Sequence, residues 1–134
     1  MHFIDIGNGK ILDFDKVQTI AESEGEFGHS IIVYLWTNNY QKPGATISKE
    51  ELNVILRLCP KKLVRFKNYQ FQWEGCKYRY INVDKITLLI PHAPNGIPCS
   101  RGTCTFVEME NGDRFVLSND KYKEIVKKMK DQNF

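Results

Sequence analysis

The apolar residues of the chain fall into short runs separated by Gly, Asn and Pro, a spacing that is typical of short β-strands. The runs Phe3–Ile6 and Lys10–Phe14 flank Gly7-Asn8-Gly9, and an Asn-Gly pair in that position predicts a hairpin. Val17–Ala21 predicts a further strand. The almost continuous apolar run Ile31–Trp36 predicts a central strand that is covered on both faces.

A helical pattern follows the loop predicted for Thr37–Ala45. Ser48 is a good N-cap residue, and Glu51 three positions later completes a capping box. The apolar positions then recur at i, i+3, i+4 and i+7, which predicts one buried stripe formed by Leu52, Ile55, Leu56 and Cys59. Pro60 ends this helix.

The remainder of the chain repeats this order with strands that are richer in aromatic residues. Strands are predicted at Leu63–Trp73, Cys76–Val83, Ile86–Ile90, Thr103–Met109 and Arg114–Leu117. Pro91 is predicted to end the third of these strands and to begin a long loop, Pro91–Gly102. Ser118 can cap a second helix, whose apolar stripe contains Tyr122, Ile125, Val126 and Met129.

Two segments of the chain are echoed at an offset of 69 to 70 residues. Phe14–Ile20 is echoed by Val83–Leu89, and Ile47–Leu52 is echoed by Leu117–Tyr122. The helix caps and apolar stripes recur at the same offset and an Asn-Gly hairpin recurs in each half, so an internal repeat is predicted.

The predicted fold is α+β, with residues 1–60 and residues 61–134 each forming a β-β-β-β-α half. Each half has an antiparallel sheet with one helix packed on it. Because units of about 65 residues are marginal alone, the halves are expected to share one core in a single domain, residues 1–134.

Two short segments resemble families of small bacterial regulators. Phe3–Ile11 resembles the start of the RemA family of DNA-binding regulators, and Met109–Ser118 is similar to the closing segment of the flagellar FlbD family. The resemblance implies nucleic-acid binding and assigns no functional residue. RemA-like proteins are single short units, whereas this chain is doubled and contains the Pro91–Gly102 loop.

The composition, with 42% apolar and 12% aromatic residues, indicates a folded protein. No apolar run approaches the roughly 18 residues that cross a bilayer, and the amino terminus lacks the pattern of a secretory signal. A cytoplasmic protein without a membrane partner is therefore expected. Its cysteines are expected to be mostly reduced: Cys59, Cys76, Cys99 and Cys104.

Charge is unevenly divided between the halves. Residues 1–60 carry a balance of −3 and residues 61–134 a balance of +6. The excess predicts an anionic partner for the second half, or self-association guided by charge. A simpler interpretation is that the lysines near the carboxyl terminus solubilise a helix.

The best candidate site interleaves cations with aromatic residues along Lys61–Tyr69 and Lys77–Tyr80. Cations can contact phosphates while rings stack on bases. In a strand, Lys77 and Arg79 would share one face and Tyr78 and Tyr80 the other. The predicted ligand-binding residues are Arg65, Lys67, Tyr69, Trp73, Lys77, Tyr78, Arg79, Tyr80 and Arg101. Alternatively, the aromatics belong to the core and the cations protect an edge strand.

The long loop offers two further possibilities. Arg101 could contact a phosphate or carboxylate through its planar guanidinium. Cys99 and Cys104 have a spacing that could hold zinc, with His92 and either Cys76 or His29 completing the site. Because the close C-x2-C pairs of zinc motifs are absent, we predict no metal and no cofactor.

No catalytic motif surrounds the three histidines, and no phosphate loop precedes a Lys-Ser/Thr pair, so no catalytic residue is predicted. The leading hypothesis is a non-enzymatic binding or regulatory protein that holds DNA, RNA or a nucleotide at the seam between its halves or on its second half. The alternative is a small phage or mobile-element module that inhibits a bacterial enzyme or defence system. A homodimer is expected, because small sheets leave edges to cover.

Overall fold

A computed structural model describes residues 3–24, 31–67, 76–93 and 104–131. Its antiparallel sheets and two helices confirm the α+β fold. The strands are β1 (Phe3–Gly7), β2 (Lys10–Asp13), β3 (Thr19–Glu24), β4 (Ile31–Trp36), β5 (Ala45–Ile47), β6 (Leu63–Lys67), β7 (Cys76–Asn82), β8 (Ile86–Ala93), β9 (Cys104–Met109) and β10 (Arg114–Leu117). The helices are α1 (Lys49–Leu58) and α2 (Asp120–Asp131), and 3-10 turns occupy Phe14–Lys16 and Val83–Lys85.

The strands form three antiparallel sheets. The largest has the order β5-β4-β3-β7-β6, so it combines three strands from the first half of the chain with two from the second. The halves are joined in it by β3 and β7, where Thr19 lies opposite Ile81. The other sheets are the hairpin β1-β2 and the three-stranded β10-β9-β8.

In the described part of the chain, the core consists of two hydrophobic clusters that take residues from opposite faces of the five-stranded sheet. Neighbouring residues of β6 and of β7 belong to different clusters, as Tyr80 and Ile81 show. The first cluster packs the β1-β2 hairpin and α1 against the sheet, with Phe14, Leu35 and Leu52 fully buried. The second joins β6 and β7 to β9, β10 and α2. The halves therefore share a sheet whose two sides both belong to the core.

Several predicted boundaries differ from the structure: β3 is Thr19–Glu24 where Val17–Ala21 was predicted, and Phe14 and Val83, predicted in strands, lie in 3-10 turns. Two further differences have a clear cause. Residues 45–47 form β5, although the loop was predicted to reach Ala45, because this short segment pairs with β4 beyond the range of local sequence signals. Pro91 does not end its strand, since β8 continues to Ala93. Proline is tolerated there because β8 lies at an edge of its sheet, and the ladder is irregular between Ile90 and Ala93.

The ladders of the two halves have corresponding registers. Phe3 lies opposite Asp13 in the first hairpin, and Leu63 lies opposite Asn82 in the second. The three-stranded segments agree as well: the pairs Ile20–Leu35 and Leu89–Val107 occupy equivalent places. The order of elements is also the same in both halves. A duplication in the history of the chain stays a prediction.

Asn82 connects the second 3-10 turn to the first half of the chain. Its side-chain oxygen accepts a hydrogen bond from the backbone N–H of Asp84 at 3.1 Å. Its amide nitrogen donates to the carbonyl oxygen of Val17 at 2.8 Å, and the side chain is buried. Asp13 caps the first 3-10 turn in the same way, by accepting from the N–H of Asp15.

We expect Asn82→Ala to lower the free energy of unfolding by about 2 kcal/mol, because it removes a cap and leaves a buried carbonyl without its partner. The matched control is Asp13→Ala, which removes only the equivalent cap and should cost about 1 kcal/mol. Urea denaturation of the two variants measures the difference. Equal losses would show that the Asn82–Val17 contact contributes nothing to the joint between the halves.

Candidate functional site

Strands β6 and β7 carry most of the residues that the sequence singled out. The register places Arg65 opposite Tyr80, so these side chains share the sheet face that also bears Tyr78. Arg65 is exposed, and the carbon of its guanidinium lies 4.2 Å from the centroid of the Tyr78 ring. Stacking on the ring leaves the edge of this guanidinium able to donate to an anion.

Tyr80 lies deeper on the same face and is buried. Its hydroxyl donates to a carboxylate oxygen of Glu22 at 3.4 Å, and Glu22 forms an ion pair with Lys49 at the start of α1. Burial, together with the negative charge of Glu22, raises the pKa of Tyr80. Tyr80 is therefore a core residue with a satisfied hydroxyl, and it offers no open ring on which a base could stack.

Arg79 lies on the opposite face, between the two halves of the chain. Its guanidinium carbon is 4.4 Å from the Trp36 ring centroid and 5.0 Å from that of Phe115. Its Nη1 lies 3.3 Å from Oδ2 of Asp113. Burial raises the pKa of Asp113, while the charge of Arg79 opposes that rise. The structure thus separates Arg79 from Arg65, and Arg79 joins the halves of the protein.

The other predicted residues are placed less fully. Lys67 ends β6 and Lys77 follows the first residue of β7, but the side chains of both lie outside the described part of the chain. Tyr69, Trp73 and Arg101 lie entirely outside the described residues. Of the predicted cations, Arg65 is the one that the structure places on an accessible surface.

A second cationic surface lies on α2. Lys123, Lys127 and Lys130 are exposed, and their spacing of i, i+4 and i+7 places them along one face of the helix. We call these three residues the lysine stripe. Within the described segments, none of the three has a carboxylate partner. Two other lysines of the helix do, since Lys121 and Lys128 both approach Glu124.

The lysine stripe borders an apolar strip on the same helix. An open groove of about 370 Å³ is lined by Tyr122, Lys123, Val126, Lys127, Lys130 and Asp131. The predicted buried stripe of α2 was therefore partly wrong: Ile125 is fully buried, whereas Tyr122 and Val126 are half-buried at the groove. No described element covers this side of the helix.

The lysine stripe is absent from the set of residues predicted to bind a ligand. The signal that could have found it is the regular spacing of its lysines along a predicted helix. That spacing also suits a helix whose lysines only promote solubility. The structure adds that Glu124 pairs with other lysines of the helix, and that none of the three exposed lysines forms an ion pair among the described residues.

One of the residues predicted to bind zinc, Cys104, cannot serve as a ligand. Cys104 is buried and disulfide-bonded, which corrects the expectation of a reduced thiol. A sulfur in a disulfide cannot serve as the thiolate that zinc requires. Within residues 3–24, 31–67, 76–93 and 104–131, no three potential ligands cluster in a way that could hold a metal. Cys99 and His29 lie outside those ranges.

Comparison with known proteins returns no protein-family model, no curated protein and no solved structure that matches the chain. The resemblance to the RemA and FlbD families therefore stays a prediction. Among the described residues, neither helix is long and apolar enough to cross a membrane.

Proposed function

We propose that the protein is a non-enzymatic binding protein, with a regulatory role, that holds a nucleic-acid backbone on its second half. The observation that carries this proposal is the lysine stripe, three exposed cations in line on α2 without carboxylate partners among the described residues. Cations that are not already paired can replace the counterions of a polyanion, and the release of those ions drives binding.

The shape of the surface favours a polymer over a single nucleotide. Lys123 and Lys130 are seven residues apart, which corresponds to about 10 Å along a helix. The groove beside them is open, whereas pockets for small molecules enclose most of the ligand surface. Tyr122 lies at the start of the groove, where its ring could stack on an unpaired base.

Arg65 extends this surface around the edge of the five-stranded sheet. Lys128 donates to the carbonyl oxygens of Pro60 and Leu63, so α2 lies against the start of β6. Arg65 follows two residues later on that edge strand. Although its side chain faces the α1 side, a backbone that crosses the edge of the sheet can contact both Arg65 and the lysine stripe.

The alternative function is a protein-interaction module, such as a phage or mobile-element inhibitor of a bacterial enzyme. The apolar strip formed by Tyr122 and Val126 favours this possibility, because apolar grooves suit an amphipathic helix of a partner. For either function we propose a cytoplasmic location, in which the disulfide of Cys104 would be uncommon. The two functions differ in their response to salt, since only the polyanion complex depends mainly on charge.

The test is binding to short random-sequence DNA, as duplex and as single strand, measured by fluorescence anisotropy at low salt. The triple variant Lys123→Gln/Lys127→Gln/Lys130→Gln is expected to bind about 10- to 100-fold more weakly, because each lost phosphate contact removes one released counterion. Both forms of DNA are included because the ring of Tyr122 would favour the single strand.

The matched control is Lys16→Gln/Lys42→Gln/Arg57→Gln, which removes three exposed cations from the first half. The two triple variants have the same net charge, so a difference between them depends on position. Equal loss in both variants, or no binding by the unmodified protein at low salt, would refute the proposal. Binding of a bacterial protein that persists at high salt would favour the alternative function.

A further inference from the structure

Six of the described strands lie at sheet edges, and two of them, β2 and β8, have an open edge where their counterparts in the other half of the chain are paired. In the described sheets, β2 pairs with β1 alone and β8 pairs with β9 alone. Their counterparts in the other half of the chain are β7 and β3, and these two strands pair with each other. We call the pairing of β3 with β7 the completed joint. The edges of β2 and β8 are the two edges from which a second joint of the same kind could be built.

The exposure of β8 differs sharply from that of its counterpart β3. Leu88 and Ile90 are 43% and 38% exposed. The equivalent residues of β3 are Thr19 and Ala21, which are 0% and 1% exposed in the completed joint. The large apolar side chains of β8 are thus exposed to solvent at the positions where the equivalent residues of the paired strand β3 are buried. Such an exposed apolar edge strand is a template for pairing.

The β1-β2 hairpin shows the same difference. Ile11 is 63% exposed and Phe3 is 59% exposed. Their counterparts in the second hairpin are Tyr80 and Leu63, which are 5% and 4% exposed because that hairpin joins the five-stranded sheet. The two hairpins also have matching registers. The first hairpin therefore has the register of the second but lacks the strand pairing that the second makes through β7.

We propose that the β8 edge of one copy of this chain pairs with the β2 edge of a second copy, in the register that β3 and β7 show. In the completed joint Thr19 lies opposite Ile81, so Leu88 is expected opposite Leu12 of the second copy. The N–H of Asn82 donates to the carbonyl of Gln18 in the completed joint. By equivalence, Asp13 should donate to Thr87.

A second copy is the occupant that the observations favour, because the chain supplies both complementary edges. The completed joint shows that a hairpin of this register, β6-β7, fits against the end strand β3 of the three-stranded segment β3-β4-β5. Pro91 would end the new ladder, since it has no N–H to donate. The contact is head-to-tail, so it closes into a ring or dimer when the rotation permits and extends into a chain of copies otherwise.

The test is disulfide trapping between two forms of the full-length protein that carry tags of different size. One form carries Leu88→Cys and the other Leu12→Cys. The equivalence to Thr19 and Ile81 makes this a non-hydrogen-bonded pair with a Cα separation of about 4.5 Å, within the range that a disulfide spans. A mixed cross-linked species should form several times faster than in a mixture of unmodified chains, whose native cysteines set the background.

Replacing Leu12→Cys by Ile11→Cys is the control, because neighbouring strand residues point to opposite faces. The proposal is overturned if the Leu88–Leu12 product forms no faster than the control product. A single chain that carries both cysteines provides a further check. If it forms the disulfide internally and remains a monomer, the pairing lies within one copy and the proposal is overturned.

Sedimentation provides a second readout that does not alter a core residue. Leu88→Lys/Ile90→Lys is expected to lower the sedimentation coefficient at high protein concentration to that of a monomer. The control Ile31→Lys/Tyr40→Lys changes two other exposed apolar residues and should leave association intact. An unmodified protein that sediments as a monomer throughout would also overturn the proposal.

Discussion

Arg79→Ala is expected to lower the free energy of unfolding by up to about 3–5 kcal/mol, the cost of breaking a fully buried ion pair from one side, because this pair is largely shielded from water. The substitution removes the guanidinium that lies against the rings of Trp36 and Phe115. It also leaves the carboxylate of Asp113, whose pKa burial already raises, without the cation that stabilises its charge. Urea denaturation at neutral pH measures the loss.

The loss should depend on pH in a defined direction. A carboxyl group whose pKa is raised in the folded state favours folding below its unfolded pKa and loses that contribution as pH rises through the folded pKa. Without Arg79 the pKa of Asp113 rises further, so the deficit of Arg79→Ala should shrink as pH falls towards 4. Adding Asp113→Asn to Arg79→Ala should likewise recover part of the lost stability at neutral pH.

Arg79→Met is the matched control, because it retains apolar bulk between the rings while removing the charge. Its stability deficit should be smaller than that of Arg79→Ala if ring contacts contribute. A deficit below about 1 kcal/mol for Arg79→Ala, the scale of an exposed pair, would show that this cluster does not hold the halves together.

Glu51→Ala is expected to cost about 2–3 kcal/mol, since one buried carboxylate makes charge-assisted hydrogen bonds to several groups. Glu51 completes the capping box of α1 by accepting from the backbone N–H of Ser48 at 2.8 Å. It also accepts from Lys10 at 3.0 Å and from Asn8 at 3.4 Å. The carboxylate thus ties the turn of the β1-β2 hairpin to the start of the helix.

The pKa of Glu51 provides the pH signature of this contact. The hydrogen bond from Ser48 is the main cause that lowers the pKa from 4.5 to about 2, against the opposing effect of burial. A lowered pKa stabilises the fold at pH values above 4.5, and the contribution is lost as pH falls towards 2. The deficit of Glu51→Ala should therefore be largest near neutral pH and shrink in acid.

Glu50→Ala is the matched control for Glu51→Ala. Glu50 is the neighbouring carboxylate in the first turn of α1, but its side chain is exposed. Glu50→Ala should lower the free energy of unfolding by only a few tenths of a kcal/mol, the scale of an exposed charge near a helix amino terminus. Similar losses in both variants would indicate that general charge at the helix start matters and that the contact with the hairpin does not.

Local features of the fold could be predicted from the sequence because their causes are local. The Asn-Gly turn of the first hairpin is confirmed, with Asn8 and Gly9 both at positive φ. The capping box of α1 is confirmed as well, because Ser48 and Glu51 lie within one helical turn. Each signal involves residues that contact one another within a few positions of the chain.

The roles of β7 and α2 could not be predicted, because they depend on distant contacts. The sequence gives β7 two faces, but the pairing of β3 with β7 decides that Arg79 faces Trp36 and that Tyr80 is buried. In the same way, helical spacing marked Tyr122 and Val126 as core residues. Their exposure follows from the absence of any described element over that side of α2.

The salt dependence of DNA binding tests most directly whether the lysine stripe holds a polyanion. The logarithm of the binding constant falls linearly with the logarithm of salt concentration, with a slope of about −0.9 for each phosphate contact on duplex DNA. Between about 50 and 200 mM salt, the magnitude of the slope for Lys123→Gln/Lys127→Gln/Lys130→Gln should be about 2–3 smaller than for the unmodified protein. Equal slopes for the two proteins would contradict the proposed function.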